Sequence, residues 1–489
     1  MLSSNRRALV WSFAERYLGL LVSIGSTVVL SRLLTPSQVG VYSLCAAFTA
    51  VAGILRDFGV SEYLIQEKDL TRDKMRAAYG LAFVIAWSIG LGIFASRDLV
   101  AIFYNEPQVA EVLLVLTLHF LILPISSPTF AMLNRELAFK QIFYLQLACN
   151  TAQAVVSVSL AFLGFGVMAL AWGPIANVAV QSLILMWLRP ADLLLRPGFR
   201  EVRTVLRFGS MYVATRAIEV LTRNFHEPVI AKQFDFASVG LFSRAFGLID
   251  LFHANVGAAV VRVATPAFAV EHRAARPLTD LYARATAIFV SISWPFFGFI
   301  ALMAEPIIRV MFGDQWLAAA PIASALAVSI MPTGLYTLAP QMLSATGHVA
   351  SRLMITLRFS PVHLVGVVIA SHYSLVAVAV VWFFSGGFLV WLYLHRLKQV
   401  LTTSIRELLR PCRASAGVAL ASIAAQGAVA WLAHVEQFTA LPTLVAVAFI
   451  GALAWLAAAR AFSAPAYVEL LHLLDGLRAK LASRTPGNS

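Results

Sequence analysis

Several ionisable side chains stand inside long apolar runs of this 489-residue chain. If such a run crosses a membrane, a charge within it costs several kcal/mol unless it faces a partner or water. Arg216, Glu219 and Arg223 are spaced i, i+3 and i+7, so they share one helix face, and His226 continues the stripe. Glu219 and Arg223 also form a favourable i, i+4 pair. This face is a candidate site for an anionic ligand.

Other apolar runs carry Glu15 and Arg16, Arg244, Asp250 and His253, and Arg358 and His363. Arginine forks match phosphate oxygens bidentately, which favours a water-filled cationic cavity that binds an anionic substrate. The predicted lining of this cavity is Arg216, Arg223, Arg244, Arg358 and Arg16. The carboxylates that are candidates for coupling to proton or sodium movement are Glu219, Asp250 and Glu15.

A structural interpretation of the same residues stays open. Glu219 with Arg223, and Glu15 with Arg16, would be self-satisfying pairs, and Arg16 would extend its charged end to the membrane surface. His119, alone on its predicted helix, is interpreted as a packed polar residue.

The composition sets the class of protein. The chain is 60% hydrophobic and 12% charged, against roughly 45–50% and about 25% in soluble domains, which excludes a soluble enzyme. At roughly 20 residues per crossing, the apolar residues supply about 14 spanning helices. Apolar runs of helical length exclude an outer-membrane barrel. The predicted fold class is therefore an all-α polytopic membrane protein.

Basic residues alternate between successive loops. Lys and Arg number 37 against 24 Asp and Glu, a net charge of +13. The basic loops are 57–75, 134–140, 189–205, 262–281 and 396–411. Such loops normally face the cytoplasm, so both termini are predicted to be cytoplasmic, and the excess charge indicates membrane topology and not nucleic-acid binding.

An internal repeat follows from shifting the sequence by 200 residues, which aligns 31–43 with 231–243 and Arg16 with Arg216. A nearby offset pairs Pro124 with Pro332, both within predicted helices. Copies in the same orientation are parallel repeats, which predicts two lobes facing each other across a central cavity. The predicted domains are an N-lobe (1–189), a cytoplasmic linker (190–205), a C-lobe (206–395), two extra helices (396–461) and a cytoplasmic amphipathic tail (462–489).

Catalytic and metal-binding motifs were sought and none was found, so no catalytic residue, metal or cofactor is predicted. The three cysteines have no paired spacing and are interpreted as buried hydrophobic residues. A membrane-bound glycan polymerase or ligase would need larger outer loops than this chain offers. A small-molecule or drug antiporter would favour an acidic cavity for its cations, and a scaffolding protein would leave the buried charges unexplained.

Five motifs, two of them made of two short segments, carry a family resemblance. They are Ser31–Pro36 with Val39–Tyr42, Asp57–Val60 with Leu64–Asp69, Val239–Ala245, Phe312–Trp316 and Ala345–His348. Through them the chain resembles the Wzx-type polysaccharide transport family of the MOP superfamily, in its colanic-acid-exporter-like branch. The stretch Arg223–Glu227 departs from the acidic residue that this family usually has there.

The resemblance implies a two-lobe bundle of six plus six helices with two extra helices. It also implies a flippase in the bacterial inner membrane that moves undecaprenyl-diphosphate-linked oligosaccharide repeat units by alternating access, for exopolysaccharide, O-antigen or capsule assembly. The implied partners are this lipid-linked substrate, membrane lipids, and a polymerase or other glycan-assembly proteins.

Overall fold

The computed structural model describes residues 2–57, 59–189, 198, 202–436, 438–469 and 471, with the backbone alone at 2–16 and 202–212. Throughout this described part the regular elements are helices, and no strand occurs in it. A helix satisfies its backbone hydrogen bonds within one segment, which a bilayer interior without water requires. The predicted all-α membrane class is confirmed. The chain divides into two compact units, Met1–Ser243 and Arg244–Ser489.

The first unit is a series of helices, several of which coincide with the predicted apolar spans. Its described helices are α1 (Leu2–Leu33), α2 (Pro36–Asp57), α3 (Val60–Gln66), α4 (Arg72–Tyr104), α5 (Pro107–Ile122), α6 (Ser127–Arg135), α7 (Phe139–Phe162), α8 (Val167–Leu188), α9 (Val202–Asn224) and α10 (His226–Gln233). Helix α11 (Phe236–Phe252) begins in this unit and ends in the next.

The second unit continues α11 through a π-helical turn, His253–Gly257, into α12. Its described helices are α12 (Ala258–Arg273), α13 (Thr279–Met311), α14 (Ala320–Ile330), α15 (Ala339–Ala345), α16 (Val349–Ser371), α17 (Leu375–Val400), α18 (Ile405–Leu409), α19 (Cys412–Val435) and α20 (Ala440–Ala461).

Twelve helical segments within the described residues are long and apolar enough to cross a membrane. Two further predicted spans coincide with α1, whose described side chains form a shorter apolar stretch at Tyr17–Leu33, and with α9. The total of about 14 spans therefore stays a prediction. Large apolar side chains such as Trp187 and Phe384 are 83% and 71% exposed. Such exposure suits a surface in contact with lipid.

Two prolines interrupt spans in the same manner. Pro124 lies in the 3-10 turn Leu123–Ile125 between α5 and α6, and Pro332 lies in the 3-10 turn Met331–Leu335 between α14 and α15. The predicted equivalence of the two prolines placed both inside helices, whereas the structure places both at helix breaks. The reason is that proline has no N–H to donate to the preceding turn. Continuous helices accommodate Pro174, Pro295 and Pro361.

The two copies of the predicted repeat motif touch each other inside the first unit. The Ser43 hydroxyl donates a hydrogen bond to the Ser243 hydroxyl at 2.9 Å, across 200 residues of sequence. Gly40 lies against the backbone of the second motif, and Gly240 lies against the backbone of the first. The two contacts are equivalent, because the glycine of each motif packs against the backbone of the other motif. Copies related by a two-fold axis make such reciprocal contacts. The lobe boundaries stay a prediction.

Replacing Gly40 by Ala tests how tight this contact is. A Cβ atom at Gly40 would lie 1.7 Å from the carbonyl oxygen of Phe236, so α2 and α11 would have to separate. Such overpacking typically costs about 1–3 kcal/mol, so we expect the detergent-purified Gly40→Ala protein to melt several degrees below wild type. Thermal melting followed by size-exclusion chromatography measures this.

Gly247→Ala is the matched control, because Gly247 also lies in α11 and a Cβ there meets no atom within 4 Å. Since alanine favours helices over glycine, this variant should melt at or above wild type. Equal melting of Gly40→Ala and wild type would contradict the close approach.

Candidate functional site

The charged face of α9 exposes two arginines to the surroundings of the helix. The side chains of Arg216 and Arg223 are both exposed and lie about two helical turns apart. Nη1 of Arg216 lies 3.4 Å from Oε2 of Glu219, whose side chain is 25% exposed. The i, i+4 spacing predicts Arg223 as the partner of Glu219, and the structure adds an ion pair of Glu219 with Arg216 on the preceding turn. A partly exposed pair of this length leaves Arg216 available to a ligand.

His226 does not continue this face. Helix α9 ends at Asn224, and His226 begins α10. The imidazole is 2% exposed, and its ring centre lies 4.7 Å from that of Phe242. The helical spacing predicts a continuous stripe, but the structure buries the His226 side chain, whereas the side chains of Arg216 and Arg223 are exposed. The extension of the stripe to His226 is therefore wrong.

Arg244, in the second unit, is held by aromatic rings. Its guanidinium carbon lies 5.4 Å from the ring centre of Trp316 and 5.8 Å from that of Phe312. Aromatic faces attract a cation, and the attraction strengthens away from water. The contact joins two of the sequence motifs, Val239–Ala245 and Phe312–Trp316. Arg244 therefore packs against the Phe312–Trp316 segment within the second unit.

Asp250 stands just before an irregular turn of its helix. The carboxylate is half-buried, and the π-helical turn His253–Gly257 follows it. His253 stacks on Phe297 at a ring-centre distance of 5.6 Å. Single π-helical turns occur frequently at functional sites, because they redirect the side chains around them. Asp250 thus keeps its place as a candidate.

Arg358 and His363 lie on the same helix, α16, but face different ways. Arg358 is exposed, whereas His363 is fully buried and its Nδ1 lies 2.9 Å from the Ser385 hydroxyl. Five residues advance a helix by about 500°, so the two side chains point roughly 140° apart. Only Arg358 is oriented for a polar ligand.

The remaining predicted site residues, Glu15 and Arg16, have side chains outside the described residues, as does nearly all of the amphipathic tail. Within the described part, no group of His, Cys, Asp and Glu could hold a metal ion. The buried cysteines there are unpaired: Cys45, Cys149 and Cys412.

The structure adds two residues to the candidates. Arg56, at the end of α2, and His119, in α5, line one cavity in the first unit together with Pro174 of α8. In the sequence, Arg56 lies next to the basic loop 57–75, and His119 is interpreted as a packed polar residue. The sequence signal for Arg56 is its position in the last turn of an apolar run, three residues after Gly53.

Comparison with known proteins relates the chain to glycan assembly. The family described as polysaccharide biosynthesis protein matches residues 29–321. The lipopolysaccharide biosynthesis protein WzxC of Escherichia coli is 23% identical over 65% of both chains. The succinoglycan biosynthesis transport protein ExoT of Rhizobium meliloti is 24% identical over 62% of this chain and 61% of its own length. The chain thus matches somewhat less than two thirds of the length of these relatives.

Solved structures share the fold. The lipid II flippase MurJ, in an inward closed conformation, superposes with a TM-score of 0.75 at 13% identity, covering 95% of this chain and all of MurJ. An inward-facing multidrug resistance transporter of the MATE family gives a TM-score of 0.65 at 16% identity, covering 80% of this chain and 99% of its own. The predicted family resemblance is confirmed.

Proposed function

The chain belongs to the polysaccharide biosynthesis protein family, and we propose that it is a flippase for undecaprenyl-diphosphate-linked oligosaccharide repeat units. The names of the relatives support this proposal, since they include lipopolysaccharide biosynthesis and succinoglycan transport. The chain shares its fold with the lipid II flippase MurJ, so this fold is known to serve a flippase. The product would enter exopolysaccharide, O-antigen or capsule assembly.

The exposed arginine pair of α9 is the observation that carries the proposal. Arg216 and Arg223 lie on one face of a predicted spanning helix, where an exposed charge requires water or an anionic ligand. A diphosphate has paired oxygens that guanidinium forks bind bidentately. The same pair disfavours a cationic drug as substrate, although MATE transporters share the fold.

The mechanism that fits this chemistry is alternating access. The site would open to the cytoplasmic leaflet, where the arginines neutralise the diphosphate, and then to the periplasmic leaflet, where the headgroup is released. The lipid tail stays in the bilayer, so only the polar headgroup needs an aqueous path. A polymerase on the far side is the partner that would use the product.

Arg223→Ala and Arg216→Ala test the substrate interaction. Each charge-assisted contact contributes roughly 1.5–3 kcal/mol, so losing one should slow glycan export tenfold or more. Arg223→Lys should restore little of this, because lysine keeps the charge and loses the planar fork. Export is measured in cells at matched membrane abundance.

Arg97→Ala provides the control, since Arg97 lies near the far end of α4 and pairs with Asp98 at 3.5 Å. It should export at the wild-type rate. Normal export by both α9 variants at normal abundance would assign these arginines to structure instead.

Coupling to proton or sodium movement is a further part of the proposal, with Glu219 and Asp250 as the carboxylates. We expect Glu219→Gln to lower the export rate and to remove its dependence on pH, because the amide cannot exchange a proton or bind a cation. Glu305→Gln is the matched control, as Glu305 is exposed and pairs with Arg309. Full flux of Glu219→Gln across a pH series would exclude Glu219 from coupling.

An inner-membrane location with both termini in the cytoplasm is the orientation that the basic loops support. Reporter fusions after Arg72, Arg196 and Arg273 should read cytoplasmic, because Lys and Arg are retained on that side. Fusions after Gly164, Asp235 and Ser371 should read periplasmic. Two neighbouring loops with reversed signals would contradict the assignment of the helix between them.

A further inference from the structure

A small cavity in the first unit has no assigned role. It encloses about 210 Å³ between α2, α5 and α8. Arg56 and Gly53 form part of its α2 wall, His119 part of its α5 wall and Pro174 its α8 wall. Ligand sites for drug-sized molecules typically measure about 300–1,000 Å³, so this cavity suits an ion and a few waters.

Arg56 brings a positive charge that is close to the Asp57 carboxylate but in no direct ion pair with it. Its side chain is half-buried, and among the described residues no carboxylate lies within 4 Å of its guanidinium. The adjacent Asp57 instead accepts a hydrogen bond from the Ser61 hydroxyl at 2.8 Å. A cation partly removed from water without a counter-ion is costly, and an anion bound beside it offsets that cost.

The rest of the wall offers no competing negative charge. The Thr49 hydroxyl donates to the carbonyl oxygens of Cys45 and Ala46 on its own helix, each at 3.0 Å. His119 Nδ1 is buried and has no hydrogen-bond partner in the described part of the chain.

A hydrated anion satisfies both groups at once. It pairs with Arg56, and one of its waters donates one hydrogen to His119 Nδ1 and the other to the anion. Arg56 supplies the one guanidinium of this cavity wall, which suits a single small anion. We propose that this cavity binds one small monovalent inorganic anion, with chloride as the reference ligand. The site does not depend on the proposed flippase function.

Chloride binding to the purified full-length protein tests this proposal. Radioactive chloride is titrated at constant ionic strength, with gluconate as the replacing anion. We expect saturable binding of one chloride per chain, with an affinity at least tenfold weaker in Arg56→Gln. Arg97→Gln, which removes an arginine elsewhere in the same unit, should bind as wild type does.

A second variant separates binding from folding. A Cβ at Gly53 meets no atom within 4 Å, so Gly53→Val places two methyl groups toward the cavity without removing Arg56. It should also weaken binding at least tenfold, while Gly25→Val, with equally open space at α1, should not. Folding of every variant is checked by size-exclusion chromatography.

Three results would overturn the proposal. These are the absence of saturable chloride binding in the wild type, equal binding in folded Arg56→Gln, and displacement of chloride by inorganic pyrophosphate at far lower concentrations than by bromide. The last result would assign Arg56 to a diphosphate. Loss of glycan export in the α9 variants, with chloride binding intact, separates this site from the proposed transport function.

Discussion

The cost of removing charge from water organises this protein more than any other interaction. A bilayer interior offers neither water nor counter-ions, so a charge there needs a partner, a polar cavity or an aromatic face. The structure shows three of these solutions. Glu219 pairs with Arg216, Arg244 lies over Trp316 and Phe312, and Arg56 opens onto a cavity. The transport proposal rests on the exposed Arg216 and Arg223, and the anion-site proposal rests on the half-buried Arg56.

The same solvent explains the helix architecture. Because unsatisfied backbone groups are as costly in lipid as charges are, prolines either remain within helices or mark short 3-10 breaks, as at Pro124 and Pro332. Helices without large side chains between them can approach closely, and Gly40 and Gly240 provide such an approach between α2 and α11. In lipid no hydrophobic effect holds helices together, so close van der Waals packing of the backbones stabilises this helix pair instead.

Transport requires these stable contacts to coexist with accessible charge. The aromatic contacts of Arg244 lie within the second unit, while Arg216 and Arg223 stay exposed on α9. The arginines of this protein therefore serve different physical roles. The distinction follows from their surroundings, since a guanidinium between aromatic rings stabilises packing, whereas an exposed guanidinium remains available to bind an anion.

The sequence by itself determined the properties that depend on local spacing. Apolar run length predicted the helical membrane class, five motifs predicted the family, and i, i+3 and i+7 spacing placed Arg216, Glu219 and Arg223 on one face. Tertiary structure decided which distant residues meet. Three features depend on helix packing between distant residues: the burial of His226, the rings around Arg244, and the cavity shared by Arg56 and His119. Periodicity along one helix does not specify its neighbours, and those contacts follow from the fold alone.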